Sequence, residues 1–311
     1  FKKRNLKNFV YDFLIYVFLF YAILLMFWVD AHENIFTLPI VFFNQMYSEL
    51  LGWPFNLLNG IYFSSREIPY NYILVNYLYK LPEIVLFLYF ISIPLIIVNF
   101  KKLKKEFQNF IYIILSVLIM LIYPNIVLQF ISFAIYDGVR LFLWSVPYLI
   151  VIPSIIVYLI FKYNYIVLKY VSVLLSIFYL SSFITITPYH YTYLNILSGP
   201  KNERYQKFEN DYWSTSLKEL ILSSDLKEQK ISFYTCGVSP EIVKNYMKQK
   251  YQRSEFTNLR DAEYIVMTNR TLFSKKDNKI SNCFNEYVSD NVHQVVRNGI
   301  ILSAIKKINH E

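Results

Sequence analysis

Only 6 glycines and 2 cysteines occur in the 311 residues, and only 17% of the chain is charged. So little glycine sets aside collagen-like, flexible-linker and disordered classes. Cys236 and Cys283 lack the paired spacing of a zinc or redox motif, so no metal site is expected from them; a structural disulfide stays open if that part of the chain lies outside the cytoplasm. The charged fraction falls below the roughly 25% of soluble domains. A purely soluble protein is excluded on this ground together with 55% hydrophobic residues and a mean hydropathy of +0.33. Also missing are a glycine-rich phosphate loop, a histidine pair at metal spacing and a nucleophile elbow, and no cofactor is expected. No small-residue cleavage site follows the first apolar run, so it does not read as a signal peptide. Residue 1 is Phe, and the expectation is of a chain truncated at its N-terminus.

What is present is apolar sequence gathered into long runs. A helix needs about 17–25 apolar residues to cross a hydrocarbon core, and only a helix or closed barrel satisfies its own backbone there. Residues 10–29, 84–100, 141–161 and 165–184 meet that length. Residues 110–123 are read as a shorter crossing, broken or ended at Pro124, with the apolar stretch after it lying at the interface. The expected fold is a polytopic α-helical membrane protein of about five spans, residues 1–185, followed by a small soluble α/β domain, residues 186–311.

Lys and Arg in short loops mark the cytoplasmic side. Lys2, Lys3, Arg4 and Lys7 precede the first run, Lys101, Lys102, Lys104 and Lys105 follow the second, and Lys162 follows the fourth, whereas the alternate loops carry only Arg66, Lys80 and Arg140. This places the N-terminus inside and the tail outside. It also accounts for much of the net charge of +9, and no nucleic-acid partner is expected. Residues 30–83 read as an outer-face loop lying along the membrane surface, where Trp53 and many tyrosines suit the headgroup layer. In the tail, residues 214–223 and 240–249 read as helices, and 230–234, 263–268 and 294–305 as strands.

Three polar clusters lie at the outer ends of the spans. In Tyr136-Asp137-Gly138-Val139-Arg140, Gly138 permits a tight turn, and Arg140 either holds a phosphate or pairs with Asp137 at a helix end. In Thr187-Pro188-Tyr189-His190-Tyr191-Thr192-Tyr193-Leu194-Asn195, the aromatics Tyr189 and Tyr191 suit a membrane belt, which does not require His190. In Phe208-Glu209-Asn210-Asp211-Tyr212-Trp213, acids beside aromatics suit a sugar, while Asp211 equally suits a helix cap.

Taken in order with Trp53-Pro54, Asn59-Gly60, Pro69-Tyr70-Asn71-Tyr72 and Lys80-Leu81-Pro82, these segments resemble the C-terminal half of bacterial glycosyltransferase family 39 and its GT-C relatives. The resemblance implies an enzyme of the cell envelope that moves a sugar from a polyprenyl-phosphate donor to a glycan, lipid or protein acceptor at the outer face. Lys80, Arg66, Asp137, Arg140, Tyr189, His190, Tyr191, Glu209, Asp211 and Trp213 are the substrate-binding candidates. Catalytic acids in that family follow the first span of the complete protein, so no catalytic residue is assigned here; Asp30 and Glu33 follow a run whose surroundings match a later loop. Two departures are Leu141 and Thr187, where family members often have His. The rival reading is a non-enzymatic membrane component of polysaccharide export or assembly.

Overall fold

The computed structural model describes residues 6–27, 32, 35–38, 40, 53–130, 135–227, 230–274 and 278–308, and Asp30 and Glu33 lie outside them. The chain divides into two compact units, Phe1–Leu51 and Gly52–Glu311. Of the first, the principal element is α1 (Leu6–Phe27), with no acidic residue in its first turn and no basic one in its last. After Lys7, Asn8 and Asp12 its side chains carry no further charge and are apolar or tyrosine around the whole circumference, as in a helix surrounded by other apolar matter.

The second unit opens with a hairpin, β1 (Phe55–Leu58) and β2 (Ile61–Ser64). Asn59 and Gly60 both take positive φ, 49° and 85°, which makes a type I′ turn whose twist matches the strands. Next come α2 (Tyr72–Lys80), α3 (Glu83–Glu106), α4 (Phe110–Phe130), a 3₁₀ turn (Arg140–Ser145) leading into α5 (Val146–Lys162), and α6 (Ile166–Ile186). Among the described residues, five helical stretches are long and apolar enough to cross a membrane: Lys7–Phe27, Glu83–Glu106, Phe110–Leu128, Arg140–Lys162 and Ile166–Ile186. Helix α5 is the inner member of its bundle, burying Ile156, Leu159 and Ile160 against Leu88 and Leu103 of α3 and Phe110 of α4. On α3 and α6, large apolar side chains such as Ile93, Val98, Leu174 and Ile184 face outward.

One sequence expectation changes. Helix α4 runs through Pro124 instead of ending there. The proline has no N–H for Met120 O, the carbonyl four residues back, and the helix continues past that one missing bond. The segment read as an outer-face loop folds, where described, as the hairpin and α2. That hairpin packs on the C-terminal part: Thr271 Oγ1 donates to Phe55 O (2.8 Å) and Asn282 Nδ2 to Tyr62 OH (2.9 Å).

The C-terminal part contains α7 (Leu217–Ser223), β3 (Ile231–Cys236), α8 (Pro240–Lys250), β4 (Ser254–Phe256), β5 (Tyr264–Thr268), β6 (Thr271–Ser274), β7 (Lys279–Asn282), α9 (Cys283–Glu286), β8 (Asn291–Arg297) and β9 (Ile300–Lys307). A mixed sheet runs β4-β3-β5-β9-β8, parallel across β4, β3 and β5 and antiparallel from β5 to β9 to β8. Strand β5 is buried throughout because both faces of the sheet are covered. Tyr264 and Val266 join Leu217, Leu220, Val243 and Met247 of α7 and α8 on one face. On the other, Ile265 and Met267 meet Phe284 and the Cys236–Cys283 disulfide.

The segment after α6 stitches the helices to this sheet. Asn195 N donates to Tyr79 O (2.9 Å), and its side-chain amide donates to Leu78 O (2.7 Å) and Leu81 O (2.9 Å), the carbonyls that end α2. Glu83, the first residue of α3, accepts from Tyr193 OH (2.6 Å) and Ile196 N (3.0 Å). The starts of α3 and α5 and the end of α6 therefore gather on the side that carries the sheet.

Candidate functional site

Asp137 lies at the centre of that junction. The loop before α5 turns through Asp137 and Gly138, at φ 59° and 67°. The φ of Gly138 is one that side-chain-bearing residues adopt only with strain, and a Cβ there would also displace the end of Lys80, so glycine suits the loop where it closes over the end of α2. Tyr72 OH donates to Gly138 O (3.0 Å), and Asn56 of β1 donates to Ile135 O (2.9 Å), which fixes the loop from two sides.

Both Asp137 oxygens are engaged. Oδ1 pairs with Arg270 Nη1 at 2.7 Å; Oδ2 accepts from Arg140 Nη1 at 3.3 Å and Trp213 Nε1 at 3.2 Å. Arg270 also faces Glu209 Oε2 at 3.6 Å, while Glu209 Oε1 accepts from Thr271 N (2.8 Å) and lies 2.9 Å from Thr271 Oγ1, whose one proton is shared with Phe55 O. The side chains of Asp137, Arg270 and Glu209 are 3%, 7% and 7% exposed, so this is an enclosed acid–base–acid group. Trp53 covers the guanidinium of Arg270, 4.7 Å from the ring centre.

Burial raises the Glu209 carboxyl above the ordinary carboxylate range, and Arg270 with the Thr271 hydrogen bonds opposes the shift. Burial also brings Lys80 down to about 8, against the pull of Glu209 and Asp137. Lys80 is thus a cation poised to lose its proton just above neutrality. The Tyr72, Tyr191 and Tyr212 hydroxyls are pushed up, chiefly by burial; Tyr72 donates to Gly138 O and Tyr191 to Asp211.

The remaining candidates separate. Asp211 is buried and holds the turn before α7: Oδ1 accepts from Thr215 N (2.9 Å), Oδ2 from Ser216 N (2.9 Å) and Ser216 Oγ (2.5 Å), and Tyr191 OH bonds it as well. His190 stacks on Phe183 of α6, ring centres 3.9 Å apart, with Nε2 at 3.1 Å from Thr187 Oγ1. Tyr189 donates to Glu219 (2.8 Å). Arg66 lies exposed in the turn after β2. Arg270 went unread in the sequence because it stands alone after strand β5, in no motif, and reaches Asp137 across 133 residues. The polar triplet Asn269-Arg270-Thr271 interrupting buried strand sequence was the available signal.

Around this group lie cavities of different character. One, of about 520 Å³, is walled by apolar side chains including Leu74, Leu78, Leu86, Leu121, Ile122 and Leu149. Another, of about 580 Å³, is lined by Tyr191, Trp213, Thr215, Lys218 and Glu219 among others. Among the described residues, no group of His, Cys, Asp and Glu is arranged to hold a metal ion. Compared with protein families, curated proteins and solved structures, the chain matches none.

Proposed function

We propose that the chain is part of a membrane glycosyltransferase that takes a sugar from a polyprenyl-phosphate donor at the outer face of a bacterial inner membrane. The observation that carries this reading is the two-sided character of α2. Tyr72, Asn76 and Lys80, spaced four apart, line the small cavity beside Gly138 and Glu209, while Leu74 and Leu78 on the opposite face wall the apolar groove. A donor with a long apolar tail and an anionic head needs such a pairing of groove and cation. Arg140 suits the phosphate: its side chain is 45% exposed, and its guanidinium is held between Asp137 and the Trp213 ring, 5.1 Å from the ring centre. Asp137, Glu209 and Asp211 are fully engaged, so the group that accepts the acceptor's proton is to be sought outside this cluster.

Arg140→Ala in the full-length protein is expected to cut transfer from a polyprenyl-phosphate sugar by at least about 100-fold, the usual effect of removing a group that stabilises developing charge. Turnover close to the unaltered enzyme would sink the phosphate role. Orientation is checked separately. An alkaline phosphatase fused after Glu311 is expected to be active, since that enzyme matures only outside the cytoplasm; activity of a cytoplasmic reporter at the same site would reverse the topology.

The enclosed Asp137–Arg270–Glu209 group also favours a second reading, in which the charges hold together a non-enzymatic component of polysaccharide export. Absence of any transfer by the complete protein would favour it.

A further inference from the structure

We propose that the pocket floored by Tyr191 and Trp213 is a pyranose-binding subsite that takes a terminal sugar of a glycan acceptor. Its cavity of about 580 Å³ falls within the roughly 300–1,000 Å³ of small-ligand pockets. The floor is rigid. Trp213 is 50% exposed, yet its indole N–H is tied to Asp137 and its ring is covered by Arg140. Tyr191 lies beside it, ring centres 5.4 Å apart and planes 32° off parallel, with its hydroxyl bound by Asp211 and by Thr215 Oγ1 at 2.9 Å. A tryptophan that merely marked a headgroup layer would need none of these tethers. Held this way, the two rings offer a broad apolar face whose ordering cost is met before any ligand arrives.

The rim suits hydroxyl groups. Lys218 offers donors, Thr215 a hydroxyl and Glu219 an acceptor; Glu219 is itself fixed by both oxygens to Arg297 Nη2 at 2.6 Å and by Tyr189. Donors and acceptors side by side on one rim match the hydroxyl groups of a neutral sugar, which need both. Arg140 on the covered side of Trp213 then separates donor phosphate from acceptor sugar by a single indole. The subsite stands on this geometry; its assignment to the acceptor rests on the transferase reading above.

The test is saturation-transfer NMR on the full chain in lipid nanodiscs, with N-acetylchitotetraose, mannotetraose, maltotetraose and cellotetraose as probes. Saturation of the ring protons of at least one probe is expected, with affinity about tenfold or more weaker in Trp213→Ala. Lys218→Ala, an exposed change that leaves the floor intact, is expected to weaken the same probe severalfold. No signal from any of the four probes, or an affinity unchanged in both variants, overturns the proposal. Transfer activity without sugar binding would overturn the subsite alone; sugar binding without transfer by the complete protein would overturn the transferase reading alone.

Discussion

Replacing Arg270 with alanine is expected to destabilise the folded chain by about 3–5 kcal/mol, the range for breaking a buried ion pair from one side. The reason is that Asp137 and Glu209 would remain enclosed, at 3% and 7% exposure, without their shared cation. In detergent this corresponds to a fall in unfolding midpoint on the order of 10 °C, measurable by intrinsic fluorescence. Removing the whole group together, as Asp137→Asn, Glu209→Gln and Arg270→Met, should recover much of the loss, because neither carboxylate is then left charged without Arg270. A midpoint within a degree or two of the unaltered protein in Arg270→Ala would show that the cluster is not the junction's clamp.

The same variant carries a pH signature. Glu209 already has its carboxyl raised by burial and lowered by Arg270, so loss of Arg270 raises it further. An acid whose folded pKa exceeds its unfolded value leaves stability intact below the unfolded value, about 4.3, and costs stability as pH rises through the folded one. The deficit of Arg270→Ala relative to the parent should therefore be greatest at neutral pH and shrink toward pH 4–5. Adding Glu209→Gln should flatten that slope.

The disulfide has an effect of similar size. Cys236 ends β3 and Cys283 begins α9, 47 residues later, with Cα atoms 5.8 Å apart. Closing a loop of that length restricts the unfolded chain by about 4 kcal/mol on the chain-entropy account. The double variant Cys236→Ser, Cys283→Ser should lose about that much stability, read as the midpoint of unfolding in denaturant. A thiol-reactive tag on unreduced, denatured protein from cells should leave both cysteines unlabelled. Full labelling would put the sheet in a reducing compartment and contradict an outer location.

The long helices were legible because hydropathy and length act locally: any run as apolar as residues 165–184 has few alternatives to a helix with apolar surroundings. The exception at Pro124 arose because a proline removes one helical hydrogen bond, a loss that a long apolar helix outlasts. In the tail, β3, β5, α7 and α8 matched their expected places to within a few residues, whereas β4, β6 and β7 were missed, being only three or four residues long. The hairpin at 55–64 carried a readable Asn59-Gly60 signal, hidden by the apolar sequence on either side. At the site, Asp137 and Arg140 were read in one cluster and Glu209 and Trp213 in another. That they meet depends on pairings across the fold, and Arg270, which joins the two, belongs to neither.

The seam at Asn195 has a lopsided mutational profile. Its partners are the main-chain oxygens of Leu78, Tyr79 and Leu81, which every amino acid possesses, so ordinary side-chain exchange at those positions leaves the acceptors in place. The donor side rests on one carboxamide, and neither aspartate nor leucine at 195 supplies its two N–H bonds. Hereditary variation can therefore drift along the end of α2, while two of the three bonds that residue 195 makes there hang on a single codon.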